Sequence, residues 1–257
     1  MNEPTTIKLS RAQNERGNIV TATVPDGRMG SLFVAKEIAD DPKLGPAFKM
    51  MESTVTESSE TLVARNEDGY HGKALETERD TFRAKVTPAF HHAIKVTQDA
   101  RSNYHVRVVR TTEFNRNAEP NAYLRHDLRQ HLMKHDPATR MKILLDSNYD
   151  MAVAALEIGN DVIGVDQRVW DDFLDHARAL FHIRNSGIDA SSVRKSTPEF
   201  ISAAGTDPDA AMAQAKDAVK RLHEDGEVLD LAESCLKHVA AFISLLADKP
   251  VEEILPQ

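Results

Sequence analysis

Residues 227–248 read EVLDLAESCLKHVAAFISLLAD, and this stretch decides the fold. On a helix each residue advances about 100°, so Leu229, Leu236, Val239, Ile243 and Leu246 fall in one stripe about 100° wide. Phe242 widens that stripe, while Ala232 and Ala240 leave room for a neighbouring helix to approach. A segment apolar on more than one face belongs inside a bundle. Gly226 is read as its start, and Lys249-Pro250 ends it because proline cannot continue a helix.

Working outward, residues 120–257 carry repeated helix-start signals. Asp136-Pro137 and Thr206-Asp207-Pro208 each place a capping side chain before a proline at the first helical position, and Thr197-Pro198 repeats the pattern. Asp166 caps the segment QRVWDDFLDHARALFHIRN, and Gly187 suits the residue just beyond its end. Met212, Ala215, Val219 and Leu222 recur at helical spacing. Together these predict a C-terminal bundle of five to seven helices. Residues 67–119 form a long helical segment, with a break or kink near Thr87 imposed by Pro88. The stretch YHVRVVRTTEF (104–114) suits a strand as well as a helix.

Residues 1–66 are mixed. GNIVTATVPDG (17–27) reads as a strand or hairpin arm before a Pro-Asp-Gly turn. GSLFVAKEIAD (30–40) reads as a short helix stopped at Asp41-Pro42. MESTVTESSETLVARN (51–66) is rich in Ser, Thr and Glu and reads as loop, with a strand over 61–64. The expected fold is mainly α: an N-terminal arm with minor β-structure, a long helix and the C-terminal bundle.

Composition narrows the function classes. With Asp and Glu at 40 against Lys and Arg at 32, the net charge of −8 provides no global basic field for DNA or an anionic membrane. A single cysteine, Cys235, cannot form an intramolecular disulfide, which fits a reducing compartment. The start MNEPTTIKLS has no apolar core of a secretory signal, and no apolar run approaches the roughly 18–20 residues that span a bilayer. Neither secretion by a signal peptide nor a transmembrane position is expected, and no membrane partner.

Few stretches carry candidate chemistry. RHDLRQHLMKHD (125–136) holds three histidines. With Leu124 at 0°, His131 and His135 fall at about −20° and 20° beside Leu128 and Leu132, while His126 falls at about 200°. His131 and His135 are therefore the candidate metal ligands, in a small helical metal-binding protein or enzyme that also uses nearby carboxylates. HLMKH lacks the glutamate of HExxH, however, and a closed site needs further ligands. Packing against a helix interface is the favoured reading of both rings. Of the adjacent His91 and His92, at most one faces inward. Asp171, Asp172 and Asp175 beside Trp170 read as a solvated face rather than paired acid and base. Asn160, Asp161 and Asp166 around VIGV read as loop and cap residues rather than a cation loop.

Arg101, Arg107, Arg110 and Arg116 gather near Tyr104 and His105, the one basic concentration with an aromatic. They are the candidate phosphate contacts of a cytoplasmic regulator that touches nucleic acid, although the acidic remainder argues against nucleic acid as a partner. GRMGS (27–31) is not a phosphate-binding loop, lacking the Gly-Lys-Ser/Thr ending, and Cys235 in the most apolar helix reads as a buried small hydrophobe. No catalytic residue and no cofactor are expected.

The segment LRQHLMKHDPATRMKILLDSNYDMAVAALEIGNDVIGV (128–165) orders a helix, a short polar break, a helix with Arg and Leu, an Ala-rich helix and a loop around a glycine. In that order it resembles helical proteins encoded among the structural genes of tailed phages and prophages, where the loop is often richer in Pro and Ser than NDVIGVD is here. The resemblance implies a non-enzymatic structural or interaction protein, a virion or assembly component in contact with other subunits, including copies of itself. It supplies no catalytic residues. On that view the protein belongs in the virion or the cytoplasm, and the N-terminal third docks on neighbours.

Overall fold

The computed structural model describes residues 6–15, 17–113, 121–188, 192, 194 and 205–256. The protein is mainly α, with a small sheet near the N-terminus, long helices and a set of shorter C-terminal ones. The chain divides into two compact units, one made of Met1–Asn103 with Asp225–Gln257 and the other of Tyr104–Glu224. The expected boundaries at 66 and 119 do not coincide with this division, because the C-terminal end of the chain groups with the N-terminal strands.

In the first unit, β1 (Lys8–Asn14), β2 (Gly17–Thr23) and β3 (Met29–Phe33) form an antiparallel sheet in the order β1-β2-β3. The Pro-Asp-Gly turn stands where the sequence places it. Asp26 accepts from the backbone N–H of Arg28, and Gly27 takes the left-handed conformation that the turn requires. The helix expected over 30–40 is cut to α1 (Lys36–Asp40), and its first residues are β3 instead. Leu32 and Val34 are buried either side of half-exposed Phe33, the period of a strand. Gly30 explains the close approach: a Cβ there would lie 3.6 Å from the Cα of Phe242 and 3.0 Å from a methyl of Leu245.

Residues 51–66 are not a loop. They belong to α2 (Gly45–Glu67), whose buried Phe48, Met51, Val55 and Leu62 keep helical spacing. Its hydroxyls are absorbed by the helix itself: Ser59 donates to the Val55 carbonyl at 2.6 Å and Thr61 to that of Glu57 at 2.9 Å. The N-terminal third is thus part of a core and not an arm that stands off from it. Ile7, Val20, Ala22, Leu32, Phe48 and Met51 are all buried.

Helix α3 (Lys73–Thr112) runs through Pro88 as one element, so of the expected break or kink near Thr87 the break does not occur. Phe82, Val86, Phe90 and Ala93 are buried at steps of three and four, and this stripe crosses the proline without changing phase. Burial on both sides offsets the lost hydrogen bond. The ambiguous 104–112 stretch is helical too, as the continuation of a helix whose nucleation is already complete.

The shorter helices α4 (Ala122–Met133), α5 (Pro137–Leu145), α6 (Tyr149–Ile158), α7 (Asn160–Ile163) and α8 (Gln167–Ser186) lie in the second unit. Leu132, Leu144, Val153, Ile163, Phe173 and Phe181 build its core, and Trp170 packs on Phe173 with centroids 4.9 Å apart. The predicted caps hold. Asp136 accepts from Ala138 and Thr139, whose hydrogen bonds keep its carboxyl below the usual range, and Asp166 accepts from Arg168. Gly187 ends α8 in the left-handed region at φ 68°.

Helix α9 (Pro208–Ala247) begins at the predicted Asp207-Pro208 signal, with Asp207 accepting from Ala210. Gly226 lies in its interior and does not open a separate helix. The predicted stripe is present: Leu229, Ala232, Leu236, Val239, Phe242, Ile243 and Leu246 are all buried. Among the described residues, no helix is long and apolar enough to cross a membrane. The Thr197-Pro198 signal lies outside the described residues.

Candidate functional site

His131 sits in the last turn of α4 and His135 just beyond its end. Their rings meet edge to face with centroids 4.7 Å apart, so the spacing does bring them together. His131 is nevertheless exposed and His135 half-buried. Of the expected inward stripe, Leu132 is buried and Leu128 partly covered, but its Leu124 and His131 edge is exposed and Arg125 and Arg129 turn inward instead. Among the described residues no group of three His, Cys, Asp or Glu is placed to hold a metal ion. His126, on the other side of the helix, lies 2.9 Å from the Gln130 amide. Of the second pair, His91 turns inward to the Ile254 carbonyl at 2.7 Å while His92 is exposed.

Beside the expected Leu128 and Leu132, the inward face of α4 carries two arginines, which the apolar pattern does not show. The Nε of Arg125 donates to Glu157 of α6 at 2.9 Å, and Arg129 donates to the other oxygen of the same carboxylate. A third arginine, Arg140 of α5, spends its guanidinium on carbonyls. It donates to Met133 at 3.0 Å, to His135 at 2.8 Å and to Ile163 at 2.6 Å, which satisfies groups left open by the end of α4 and of α7. Arg125 and Arg129 join α4 to α6, and Arg140 joins α5 to the ends of α4 and α7. Their sequence signal, Arg at i and i+4 with a lone Glu in the Ala-rich helix, is visible only once α4 and α6 are known to pack.

The basic cluster does not act as one site. Arg101 donates to Glu233 at 2.7 Å and to Asp230 at 2.5 Å. The hydrogen bond to Glu233, with Asp230 adding, holds its guanidinium pKa above the ordinary value. That charge is already matched by two carboxylates. Arg107 and Arg110 are exposed further along α3, and Arg116 lies outside the described residues.

Asp171, Asp172 and Asp175 form the solvated face of α8 opposite buried Trp170, Phe173 and Ala177. Asp175 pairs with Arg178 at 2.8 Å. Asp172 and Asp175 border a cavity of about 530 Å³ with Lys216, Lys220 and His223 of α9, a mixed-charge surface without a nucleophile–base pair. Asn160 closes its own loop, donating to the Val165 carbonyl and accepting from the Val165 N–H, both at 3.2 Å.

Cys235 donates its thiol to the Phe33 carbonyl at 3.1 Å. Burial pushes its pKa up to about 12, and the negative Glu52 adds to the rise. It is a packed side chain, not an activated nucleophile.

What the second unit does present is exposed apolar surface. Val106 is 62% exposed and Val109 42%, one turn apart on α3, with Arg107 and Arg110 interleaved. On α4, Tyr123 is 91% exposed and Leu124 43%. No family model matches the chain, and no curated protein or solved structure is significantly similar to it.

Proposed function

We propose that this is a non-enzymatic interaction protein that binds other subunits, first of all copies of itself, within a larger assembly. The observation that carries the reading is the outward display of Val106 and Val109 on α3 and of Tyr123 and Leu124 on α4. Single exposed apolar residues are ordinary. An almost fully exposed tyrosine, and valines interleaved with arginines along one helix, have the composition that interfaces favour. The N-terminal third, although folded into a core, also exposes Met29 at 68% and Met50 at 49%; the surface proposed here is the one on the second unit.

The resemblance of residues 128–165 supplies the setting: a component of a tailed-phage virion or of its assembly, located in the virion or in the cytoplasm where the particle is built. The two alternatives have less behind them. Arg101 is held by Glu233 and Asp230, and the His131–His135 pair gathers no further ligand among the described residues.

The test is the paired substitution Val106→Asp and Val109→Asp, measured by light scattering after size exclusion, with circular dichroism to confirm helix content. The variant should have a smaller particle mass than the wild type at equal concentration. An unchanged mass with unchanged helicity would remove α3 from the interface.

A further inference from the structure

A cavity of about 560 Å³ opens in the first unit between the β1–β2 ladder and α2. Both walls present polar groups: Arg11, Gln13 and Asn18 from the strands, and Lys49, Glu52 and Thr56 from the helix. Gln13 and Asn18 are cross-strand partners, so their amides rise from one rung of the ladder.

The outer groups are already engaged. Arg11 pairs with Glu60, and Ser53 donates to Glu57 at 2.7 Å. Lys49 and Glu52 are different. They stand three residues apart on α2 with the base before the acid, the less favourable order for a helical pair. The acid-first order does pair at this spacing, at Asp80–Arg83 and Asp175–Arg178. Here no ion pair forms, and the two charges border the same cavity from separate positions.

Glu52 is half-buried, and burial raises its pKa above the ordinary carboxyl value. It also lies close enough to Cys235 to raise the thiol pKa. Among the described residues no cation pairs with Glu52, and a carboxylate in such a place gains when one arrives. Lys49 offers the complementary charge about one helical turn away.

We propose that this cleft binds a small zwitterion of the amino-acid or short-peptide class, its ammonium on Glu52 and its carboxylate on Lys49. The amides of Gln13 and Asn18 hydrogen-bond the backbone-like centre of the ligand. The volume suits a small ligand, and Lys49 and Glu52, which border the cavity together, favour one that carries both charges. No chemical step is involved, and the site is independent of the assembly proposed above.

The test uses the full chain and glycylglycine as probe, followed by amide chemical shifts. Ethylamine and propionate serve as probes carrying only one of the two charges. Saturable shifts at Gln13, Asn18, Lys49 and Glu52 with glycylglycine are expected, with each single-charge probe weaker by about tenfold or more. Glu52→Gln, which keeps the shape of the side chain and relieves a desolvated charge, should fold as the wild type and weaken glycylglycine by about tenfold. Lys49→Met should do the same from the other end. Unsaturable or scattered shifts, equal binding of ethylamine, or unchanged affinity in Glu52→Gln would each overturn the proposal.

Discussion

The Nε of Arg125 donates to Oε1 of Glu157 at 2.9 Å across 32 residues of chain, with the two side chains only 7% and 17% exposed. Arg129 takes the second oxygen, so one carboxylate holds two guanidiniums. Removing it takes from a largely dry place the carboxylate that both guanidiniums share. Glu157→Ala should cost about 3–5 kcal/mol in chemical denaturation. A loss below about 1 kcal/mol would mean that Arg125 finds other partners or water, and that the ion cluster does not hold α4 to α6.

The pairing of Arg101 with Glu233 and Asp230 is more exposed and should behave differently. Arg101→Ala should cost up to about 1 kcal/mol, discounted for solvent. The loss should shrink in about 1 M salt, where the screening length falls to about 3 Å. A cost independent of salt would assign the residue to packing through its stem.

The last helix carries the first unit. Ile243 is fully buried, whereas Asp172 on α8 faces water. Ile243→Ala should therefore cost about 2–5 kcal/mol and Asp172→Ala at most about 0.5 kcal/mol. The reverse order, read from urea midpoints, would contradict both assignments.

Cys235 supplies a pH-dependent check. Its folded pKa of about 12 stands above the ordinary thiol value of about 8.5. The stabilisation from keeping the thiol neutral is fully present below the unfolded value and is lost as pH rises through the folded one. Stability should thus decline between about pH 9 and the folded pKa, and Cys235→Ala should flatten that decline. In the native state at pH 8 the thiol should not react with a disulfide reagent, and unfolding should release it. Rapid reaction of the native chain would show that the thiol is open.

The parts of this fold legible in the sequence are those fixed by neighbours in the chain. Asp136-Pro137, Asp166 and Gly187 set helix ends through bonds within a turn or two, and the stripe from Leu229 to Leu246 is periodic enough to be seen unaided. Helix α2 was hidden because its Ser and Thr favour loops on local grounds. Burial of Met51, Val55 and Leu62 overrides that preference, and the hydroxyls turn back onto the helix. Pro88 does not end the helix for the same reason, since the buried stripe of Phe82, Val86 and Phe90 holds α3 together across it. On α4, Leu132 was legible but the inward turn of Arg125 was not, because Arg125 counts as polar until Glu157 is brought to it from another helix. The Glu52 cleft is likewise assembled from residues some 40 positions apart, and neither wall carries a motif by itself.

The central claim is that the chain works in contact with other subunits, and native mass spectrometry of the wild-type protein tests it most directly. The chain mass is 28.6 kDa. The account predicts particles at whole-number multiples of that mass, persisting on dilution and breaking down in the Val106→Asp, Val109→Asp variant. A single species of 28.6 kDa at every concentration would contradict it. If that species also held one zinc ion per chain, lost in His131→Ala, the His131–His135 reading would take its place.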